Sequence, residues 1–532
     1  MKTKYLISLS VLSGVLLAAS WPENGFTLLV FVALVPLLFI QKYIGNSNKK
    51  GMFLYSWLAF VIWNVLTTWW IWNSTSAGSV AAFVLNAMFT AIVFQLFHLS
   101  KKWFYDNKKG NWILMFYWIS WEYLHLNWDL SWSWLNLGNV FAGKPQWIQW
   151  YEYTGTFGGG LWVLVLNILI FSVLDRVIEQ KNLKGSYLGI VTAVLLILVP
   201  ISYSLYVYNN YEEKGKSMDV VVVQPNIDPY HEQYTLSPDS ILNRSLYLAK
   251  PLIDENTRYV VLPESALQED IWEGTLTNSK TINKIYDYVK QYDKLNFVTG
   301  ATTYSMVKYG EHLTNAARKF SNIDKYYYAY NTALLINKSG VVQVHHKSKL
   351  VPGVEIMPSW GILKPLEKIT IDLGGTTGTL GRDKEPLVFL DLDSIGSSPL
   401  ICYESIYGEF VGKTIKRGGQ IIFVITNDGW WGNTPGYRQH LLFSSLRAIE
   451  TRRWVVRSAN TGTSAFVNQR GDILQQTEYW KPAVIKQTVK ADDKLTYYVK
   501  NGDYLANISA YISALVFLIA ITQGFLKKKK RL

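Results

Sequence analysis

The chain contains 532 residues, which is enough for two or more domains, and its charged fraction of 17% lies below the roughly 25% usual for soluble domains. Aromatic residues reach 15%, with 22 tryptophans, and both values indicate a membrane protein. The formal net charge is +13. Many basic residues form short runs beside apolar stretches, which indicates membrane topology and argues against nucleic-acid binding. The single cysteine excludes an intramolecular disulfide framework.

Long apolar runs dominate the N-terminal part of the chain and recur near its end. A membrane-spanning helix needs about 20 mainly apolar residues. Runs of about this length occur at 4–20, 26–42, 52–73, 79–99, 111–128, 157–174, 186–208 and 504–525. The first run has Lys2 and Lys4 at its N-terminal end, and a cleaved signal peptide likewise begins with basic residues before an apolar stretch. Because six more runs follow it, an uncleaved first helix is the favoured interpretation.

Basic residues orient the predicted spans. With the N-terminus in the cytoplasm, the cytoplasmic segments are 43–51, 100–110, 175–185 and the tail from Lys527, all of them basic. Loops on the opposite side are poor in Lys and Arg. We therefore predict a seven-span domain at 1–208, an extracytoplasmic or periplasmic domain at 209–500, and a last span with a basic tail at 501–532. Both termini are expected to be cytoplasmic.

The block 209–500 alternates strand-like runs with helical stretches. Continuous Val/Ile runs such as DVVVVQ and IIFVIT are typical of strands buried on both faces. Helices are predicted at 237–255, 277–292 and 437–452, and strands at 219–224, 259–262, 297–301, 332–336, 341–345, 387–392, 399–402, 420–425 and 465–468. This alternation predicts an α/β sandwich with functional side chains at the strand ends.

Three reactive side chains follow or end strand-like runs in this block. Glu264 follows YVVLP, Lys347 lies in HHKSKLVP, and Cys402 ends PLIC. The thiolate is the nucleophilic form of cysteine, so a nucleophilic thiol needs a base and benefits from a nearby cation. A lone cysteine is more often a small buried hydrophobic residue. Spacing alone does not choose between Lys347 and Lys349.

Longer motifs carry a resemblance to a known family. The ordered segments PES, HKSKLVP, LICYE and TNDGWWG are similar to those of the nitrilase superfamily, whose Glu–Lys–Cys triad forms thioester intermediates. With seven predicted spans before this block and one after it, the chain resembles the apolipoprotein N-acyltransferase family over nearly its whole length. The resemblance implies an α-β-β-α sandwich fused to a multi-pass bundle of about eight transmembrane helices.

The resemblance also implies roles for individual residues. Glu264 is implied as the general base, Cys402 as the nucleophile and Lys347 as the oxyanion-stabilising cation. Lys347 is preferred to Lys349 because the family's lysine stands three residues before Leu-Val-Pro. The implied supporting and substrate-binding positions are Glu355, Tyr403, with its backbone N–H as an oxyanion donor, Glu404, Trp430 and Tyr234, which is matched by its place in NIDPYHEQY.

The implied reaction is a ping-pong acyl transfer at the outer surface of the cell (inner) membrane. Cys402 would take an acyl chain from a phospholipid, and the α-amine of a diacylglyceryl-cysteine at a lipoprotein N-terminus would then accept it. We expect an integral-membrane monomer that needs no cofactor, no metal and no nucleic acid. The alternatives are a membrane-anchored amidase or nitrile hydrolase that uses water, and a transporter or receptor with a non-catalytic outer domain.

Two ionisable residues fall within a predicted span. Glu122 and His125 lie three residues apart, on one face of a helix. An ionisable group within a membrane is a candidate functional group, but a buried polar tie between helices is the favoured interpretation. The sequence shows no metal-ligand spacing and no phosphate-binding glycine loop.

Overall fold

The computed structural model describes residues 2–47, 49–107, 109–233, 235–356 and 379–529. These residues form two compact units. The first contains the chain up to Trp72, Ser76–Asn210 and the residues from Asp503 onward, and the second contains Asn73–Thr75 and Tyr211–Gly502.

The first unit is built from α-helices. Its helices are α1 (Thr3–Ala19), α2 (Val35–Ser47), α3 (Met52–Thr68), α4 (Ser76–Tyr105), α5 (Ile113–His125), α6 (Tyr151–Gln180), α7 (Tyr187–Asn210) and, after the second unit, α13 (Tyr504–Lys529). Within the described residues, six helical segments are long and apolar enough to cross a membrane. They are Thr27–Ser47, Met52–Asn73, Ser76–Tyr105, Tyr151–Gln180, Lys184–Asn210 and Tyr504–Lys527.

The prediction of about eight spans is therefore not confirmed. The first and fifth predicted spans correspond to shorter helices, α1 with 17 residues and α5 with 13. At 1.5 Å per residue, the length of α5 is about 20 Å, against a hydrocarbon core of roughly 30 Å. The apolar sequence continues beyond His125, but the chain there enters the irregular segment 126–136.

Apolar side chains on α7 and α13 are exposed rather than packed inside the unit. Leu188 and Tyr511 are each 81% exposed, and only 11% of the apolar stretch of α7 is buried. Large contiguous apolar surfaces are unfavourable in water, so we expect these helices to face lipid. The chain is therefore an integral membrane protein.

In the described part of the second unit, two β-sheets combine with five α-helices. The helices are α8 (Pro238–Ala249), α9 (Lys280–Val289), α10 (Gly408–Lys416), α11 (Pro435–Thr451) and α12 (Tyr497–Asn501). The strands are β1 (Lys216–Gln224), β2 (Thr257–Val261), β3 (Leu267–Trp272), β4 (Asn296–Met306), β5 (Arg318–Lys319), β6 (Tyr326–Asn337), β7 (Gln343–His346), β8 (Phe389–Leu390), β9 (Gly396–Ile401), β10 (Ile421–Thr426), β11 (Val455–Ala459), β12 (Ala465–Val467), β13 (Ile473–Leu474) and β14 (Ala483–Ala491).

The strand order defines two mixed sheets. The first has the order β14-β1-β2-β4-β6-β5, with β3 also paired to β4 and β7 to β6. The second has the order β13-β12-β11-β10-β9-β8. Neighbouring strands are parallel in the centre of each sheet: β1, β2 and β4 in the first, and β9, β10 and β11 in the second. Their carboxyl ends can therefore present side chains together.

The two sheets pack face to face, with helices outside. Val220 and Val222 of β1 share a buried cluster with Phe423 of β10, which lies in the other sheet. The alternate residues Val221 and Val223 pack instead with residues of α8 and α9. On the second sheet, α10 packs on β9 and α11 on β11. Both faces of β1 are thus buried, as its continuous valine run predicts, and the predicted α-β-β-α sandwich is confirmed.

One detail of the strand prediction is wrong at a residue that matters. Cys402 was expected to end a strand at 399–402, but β9 ends at Ile401. Cys402 begins a 3₁₀ turn, Cys402–Ile406, and its φ of 50° is left-handed. A left-handed residue other than glycine is unusual and costs about 1 kcal/mol or more. The cysteine therefore lies at a sharp, strained turn beyond the strand.

Candidate active site

The predicted catalytic residues all follow strands of the second unit. Glu264 comes three residues after β2, while Lys347 and Cys402 directly follow β7 and β9. The first two strands belong to one sheet, and β9 belongs to the other. Because the sheets pack face to face, residues from both can meet at the ends of the sandwich.

Lys347 lies between two carboxylates. Its Nζ donates to Glu264 Oε1 at 3.2 Å and to Glu355 Oε1 at 2.8 Å. Asn331 Nδ2 donates to the same two oxygens, at 2.7 Å and 3.1 Å. The second oxygen of Glu264 accepts from the backbone N–H of Asn427, at 3.0 Å. One ammonium and one amide thus hold the two carboxylates together.

Burial and charge set the protonation of this cluster. Burial opposes the charge of Lys347, but the carboxylates of Glu264 and Glu355 outweigh it and raise its pKa well above the usual range. Burial also raises the pKa of Glu264; the Lys347 charge opposes this rise and the Glu355 charge adds to it. Lys347 is therefore a permanent cation, and Glu264 is a stronger base than an exposed glutamate.

The neighbouring Lys349 lies elsewhere. Its Nζ is 4.8 Å from the ring centroid of Tyr407, in a cation–π arrangement. Residues two positions apart would share one face of a straight strand, but the chain bends at 348–349, beyond the end of β7. The structure brings Lys347, and not Lys349, to Glu264 and Glu355, as the resemblance implies.

The Cys402 thiol is half-buried and feels the charges of the cluster. Burial raises its pKa, the Glu264 carboxylate raises it further, and Lys347 acts in the opposite direction. The net shift is upward, so Lys347 alone does not keep the sulfur ionised. The thiol is protonated before reaction and needs a base to become a nucleophile.

Glu404 is fully buried and joins two parts of the site. Its Oε1 accepts from the backbone N–H of Ser348, at 2.6 Å, and its Oε2 accepts from the backbone N–H of Ile401, at 2.7 Å. His345 Nε2 lies 3.2 Å from the same Oε2. Glu404 therefore fastens the segment after β7 to the end of β9. Its contacts are those of a positioning residue, and its implied place against substrate stays a prediction.

The other implied supporting residues differ in their surroundings. The Tyr403 side chain is buried edge-on to Tyr407, with ring centroids 5.2 Å apart. Trp430 is half-buried and edge-on to Tyr230 at 5.2 Å, and the Tyr230 hydroxyl donates to Trp430 O at 3.2 Å. Tyr234 lies outside the described residues. Contact of Tyr403 and Trp430 with substrate remains a prediction.

Sequence analysis missed a buried charged group beside the cysteine. Asp428 follows β10 and pairs through Oδ2 with Arg457 Nη2 of β11. His440 on α11 places Nδ1 3.1 Å from Asp428 Oδ1 and Nε2 3.3 Å from Cys402 O. Burial opposes the charge of Asp428, but the Arg457 guanidinium outweighs it, and the pKa of Asp428 is lowered to about 2. Asp428 was visible in the TNDGWWG motif, whereas no spacing linked it to His440 and Arg457.

Three of these side chains are of types that can ligate a metal ion. Atoms of Cys402, Asp428 and His440 that can ligate a metal lie within 4.8 Å of one another. Arg457 already supplies a full positive charge to Asp428, and the His440 ring contacts both Asp428 and the cysteine carbonyl. A second cation would be repelled by the guanidinium. The group is better described as an ion-paired network.

Glu122 and His125 of α5 have partners within the first unit. Glu122 Oε1 accepts from Trp118 Nε1 at 2.9 Å and from the backbone N–H of Leu137 at 2.7 Å. His125 Nε2 lies 3.2 Å from Asn86 Oδ1 on α4. These contacts connect α5 to a loop and to a neighbouring helix, which favours the interpretation as polar ties.

The backbone at Gly300 packs closely against the backbone at Glu264, and this contact predicts the effect of Gly300→Ala. A Cβ at Gly300 would lie 2.6 Å from both Glu264 Cα and Ser265 N. The substitution should push the glutamate away from its partners and cost about 1–3 kcal/mol of unfolding free energy. Denaturation midpoints check this. Gly274→Ala, where no atom lies within 4 Å of the new Cβ, is the matched control; equal behaviour of the two variants contradicts the prediction.

His346 gives the second unit a pH-dependent contribution to stability. Its Nε2 lies 2.6 Å from Glu273 Oε1 and its Nδ1 lies 2.9 Å from Asp383 Oδ1. Burial opposes its charge, but the two carboxylates raise its pKa from 6.5 to about 9. The stabilisation is therefore complete below about pH 6.5 and is lost as the pH rises through about 9. We expect the denaturation midpoint to fall over this range in the wild type and to fall less in His346→Gln; parallel curves contradict this assignment.

Comparison with known proteins identifies the family to which the chain belongs. A family model described as carbon-nitrogen hydrolase matches residues 219–494, more than half of the chain, and the chain belongs to this family. A model described as the apolipoprotein N-acyltransferase N-terminal domain matches residues 13–169.

Individual relatives cover most of the chain. An apolipoprotein N-acyltransferase of Chlorobaculum tepidum is 26% identical over 525 residues, 96% of this chain and 96% of that protein. One of Haemophilus influenzae is 29% identical over 413 residues, 74% of this chain and 72% of that protein. The structure of Saccharomyces cerevisiae Nit3, a member of branch 10 of the nitrilase superfamily, covers 52% of this chain and 90% of its own, with 15% identity and a TM-score of 0.37.

The resemblance drawn from the motifs is therefore confirmed. Matches to both the N-terminal and the carbon-nitrogen hydrolase models, and to relatives named apolipoprotein N-acyltransferase, extend over nearly the whole chain. Together with the apolar helices, they support an acyltransferase embedded in a membrane.

Proposed function

We propose that this enzyme moves an acyl chain from a phospholipid to the α-amine of a diacylglyceryl-cysteine at a lipoprotein N-terminus, through a thioester on Cys402. The observation that carries the proposal is the buried Lys347 held between Glu264 and Glu355, with both its charge and that of Glu264 acting on the Cys402 thiol. This arrangement supplies a base, an oxyanion partner and a nucleophile. The membrane helices supply access to lipid.

The first half-reaction forms the thioester. Glu264 takes the proton from Cys402 Sγ, and the sulfur attacks the carbonyl carbon of a phospholipid ester. The Lys347 ammonium and the Tyr403 N–H stabilise the negative oxygen of the tetrahedral intermediate. When the intermediate collapses, the ester C–O bond breaks and Glu264 returns its proton to the departing glycerol oxygen. A lysophospholipid leaves, and the acyl group stays on the sulfur.

The second half-reaction transfers the acyl group to nitrogen. The α-amine attacks the thioester carbonyl, and Glu264 takes a proton from the nitrogen. The C–S bond breaks as the amide forms, and the thiolate regains a proton from Glu264. Glu355 takes no proton in this scheme, because its contact with Lys347 Nζ fixes the ammonium. One base thus serves both halves.

The second unit is proposed to lie on the extracytoplasmic side, with both termini in the cytoplasm. Support comes from the basic segments, which fall on one side when the spans are counted from the N-terminus. The enzyme is proposed to act as a monomer, because the Glu264, Lys347, Glu355 and Cys402 contacts lie within one chain.

A hydrolase is the alternative, because the same residues could pass the acyl group to water. The two functions are separated by incubating the purified full-length protein in detergent with phospholipid labelled in its acyl chains. Label that stays on Cys402 and moves to an added diacylated lipopeptide supports the proposal. Label that leaves only as free fatty acid identifies a hydrolase. A transporter or receptor with a non-catalytic second unit would take up no covalent label.

The acceptor can be tested in the same assay. A lipopeptide whose α-amine is already acylated has no nucleophile and should leave the acyl-enzyme intact. Release of label at equal rates by the free and the blocked lipopeptide would refute the amine as acceptor, because only the amine differs between them.

A further inference from the structure

Two side chains hold the carbonyl oxygen of the cysteine. His440 Nε2 lies 3.3 Å from Cys402 O, and Ser405 Oγ donates to the same oxygen at 2.7 Å. His440 Nε2 is also 3.0 Å from Ser405 Oγ. A carbonyl oxygen only accepts hydrogen bonds, so the imidazole must carry its hydrogen on Nε2. This requirement holds for the neutral ring and for the charged ring.

The other side of the imidazole is fixed by an ion pair. Arg457 Nη2 lies 3.1 Å from His440 Nδ1 and also pairs with Asp428 Oδ2. A guanidinium only donates, so Nδ1 accepts from it in the neutral ring, and the 3.1 Å contact of Nδ1 with Asp428 Oδ1 is then not a hydrogen bond. Burial, followed by the Arg457 charge, lowers the pKa of His440 and keeps the ring neutral. The side chains of His440, Asp428 and Arg457 are all fully buried, so the ring has one orientation.

This orientation is transmitted to the peptide between Cys402 and Tyr403. The peptide bond is trans, so its C=O and N–H point in opposite directions. Holding Cys402 O toward His440 and Ser405 therefore directs the Tyr403 N–H to the other side of the peptide plane. The left-handed φ of Cys402, 50°, is a conformation that needs such support from its surroundings.

We propose that His440 is a positioning residue, which clamps the Cys402 carbonyl so that the Tyr403 N–H faces the oxygen of the acyl group. Arg457, which pairs with Asp428, holds the imidazole, and Ser405 shares the clamp. The inference rests on the proposed function, because the oxyanion exists only if Cys402 attacks an ester. His440 neither gives nor takes a proton in the reaction.

Two reactions of the same thiol test the proposal. Acylation by labelled phospholipid passes through an oxyanion, whereas alkylation by iodoacetamide requires only the thiolate. In His440→Ala we expect acylation to slow by about 10- to 100-fold, below the loss of about 100- to 1,000-fold for a missing oxyanion donor. Alkylation should change less than about threefold, since burial and the charges of Glu264 and Lys347, which act on the pKa of the thiol, stay in place.

Two further variants separate positioning from general stability. His440→Gln keeps a donor at the position of Nε2 and should restore most of the acylation rate, whereas His440→Asn carries its amide at the position of Nδ1 and should not. Ser444→Ala is the matched control on the same helix: Ser444 is buried, and its hydroxyl has no hydrogen-bond partner among the described residues. It should acylate at the wild-type rate.

Each outcome decides a different point. No phospholipid label on the wild type refutes the proposed function and this inference with it. Two outcomes refute this inference alone. The first is acylation of His440→Ala at the wild-type rate. The second is an equal fall of acylation and alkylation in both His440→Asn and His440→Gln. If His440→Ala does not fold, the contrast between His440→Gln and His440→Asn gives the same decision.

Discussion

Cys402→Ala and Cys402→Ser are expected to take up no thioester label from acyl-labelled phospholipid. Alanine removes the nucleophile. Serine keeps an oxygen of similar size, but its hydroxyl is a far weaker acid than a thiol, so Glu264 would ionise very little of it. The measurement is label retained on the denatured protein and released by neutral hydroxylamine, which cleaves thioesters. Label at wild-type level on Cys402→Ala would contradict the assignment of the nucleophile.

The left-handed turn at Cys402 adds a second expected result at the same position. Because its φ is 50°, glycine fits the backbone better than any residue with a Cβ. Cys402→Gly should therefore be about 1 kcal/mol more stable to unfolding than Cys402→Ala, while both are inactive. Denaturant midpoints of the two variants give the comparison. Equal midpoints would show that the turn stores no strain.

The candidate catalytic residues could be proposed from the sequence because each one follows or ends a strand-like run. Glu264, Lys347 and Cys402 all come at the end of runs whose Val, Ile and Leu residues fill the sandwich core, and strand ends are where functional side chains gather. Their assignment to one site came from the resemblance. The choice of Lys347 over Lys349 likewise required either the resemblance or the contacts, since both lysines occupy the same segment.

Elements held together by distant partners were not predictable. Strand β11 contains Arg457, whose charge breaks the apolar pattern and is paired with Asp428, 29 positions earlier. Strands β3 and β14 are rich in polar residues because they lie at margins of their sheet. Glu404 has no local signal either, since its role depends on backbone N–H groups from two separate segments.

The predicted span count is not confirmed for a related reason. Hydropathy reports how apolar a run is and not where its backbone hydrogen bonds stop. The apolar run 111–128 contains the buried carboxylate of Glu122, which accepts from the backbone N–H of Leu137 and so draws the following loop against α5. The helix ends at His125 although the apolar composition continues.

Lys347→Met is expected to have the largest combined effect on activity and stability. It removes the only ammonium that contacts both Glu264 and Glu355 in the described structure. Losing one member of a buried ion pair costs about 3–5 kcal/mol of unfolding free energy. Losing an oxyanion partner slows acylation by about 100- to 1,000-fold. Lys349→Met removes a cation–π contact with Tyr407 instead and should change acylation by less than about threefold, since the described contacts with Glu264 and Glu355 belong to Lys347 and stay in place.

The loss of unfolding free energy in Lys347→Met should depend on pH, and the two carboxylates determine whether this loss grows or shrinks as the pH rises. Without the ammonium, burial and mutual repulsion raise the pKa of Glu264 further above its value in the unfolded chain. A carboxyl whose folded pKa is raised favours the folded state while it is protonated, and this stability is lost as the pH rises through the folded pKa. The variant should therefore be close to the wild type in denaturation midpoint at pH 5 and much less stable at pH 8.

A second substitution separates repulsion from catalysis. Lys347→Met/Glu355→Gln removes one of the two charges, so it should recover much of the stability at pH 8 without recovering acylation, because the oxyanion partner is still missing. Recovery of both would mean that Lys347 serves only to neutralise the carboxylates. A loss of stability in Lys347→Met that does not change with pH would mean that the two carboxylates do not repel each other once the lysine is gone. That outcome would contradict their proximity, since both accept hydrogen bonds from Asn331 Nδ2, at 2.7 Å and 3.1 Å.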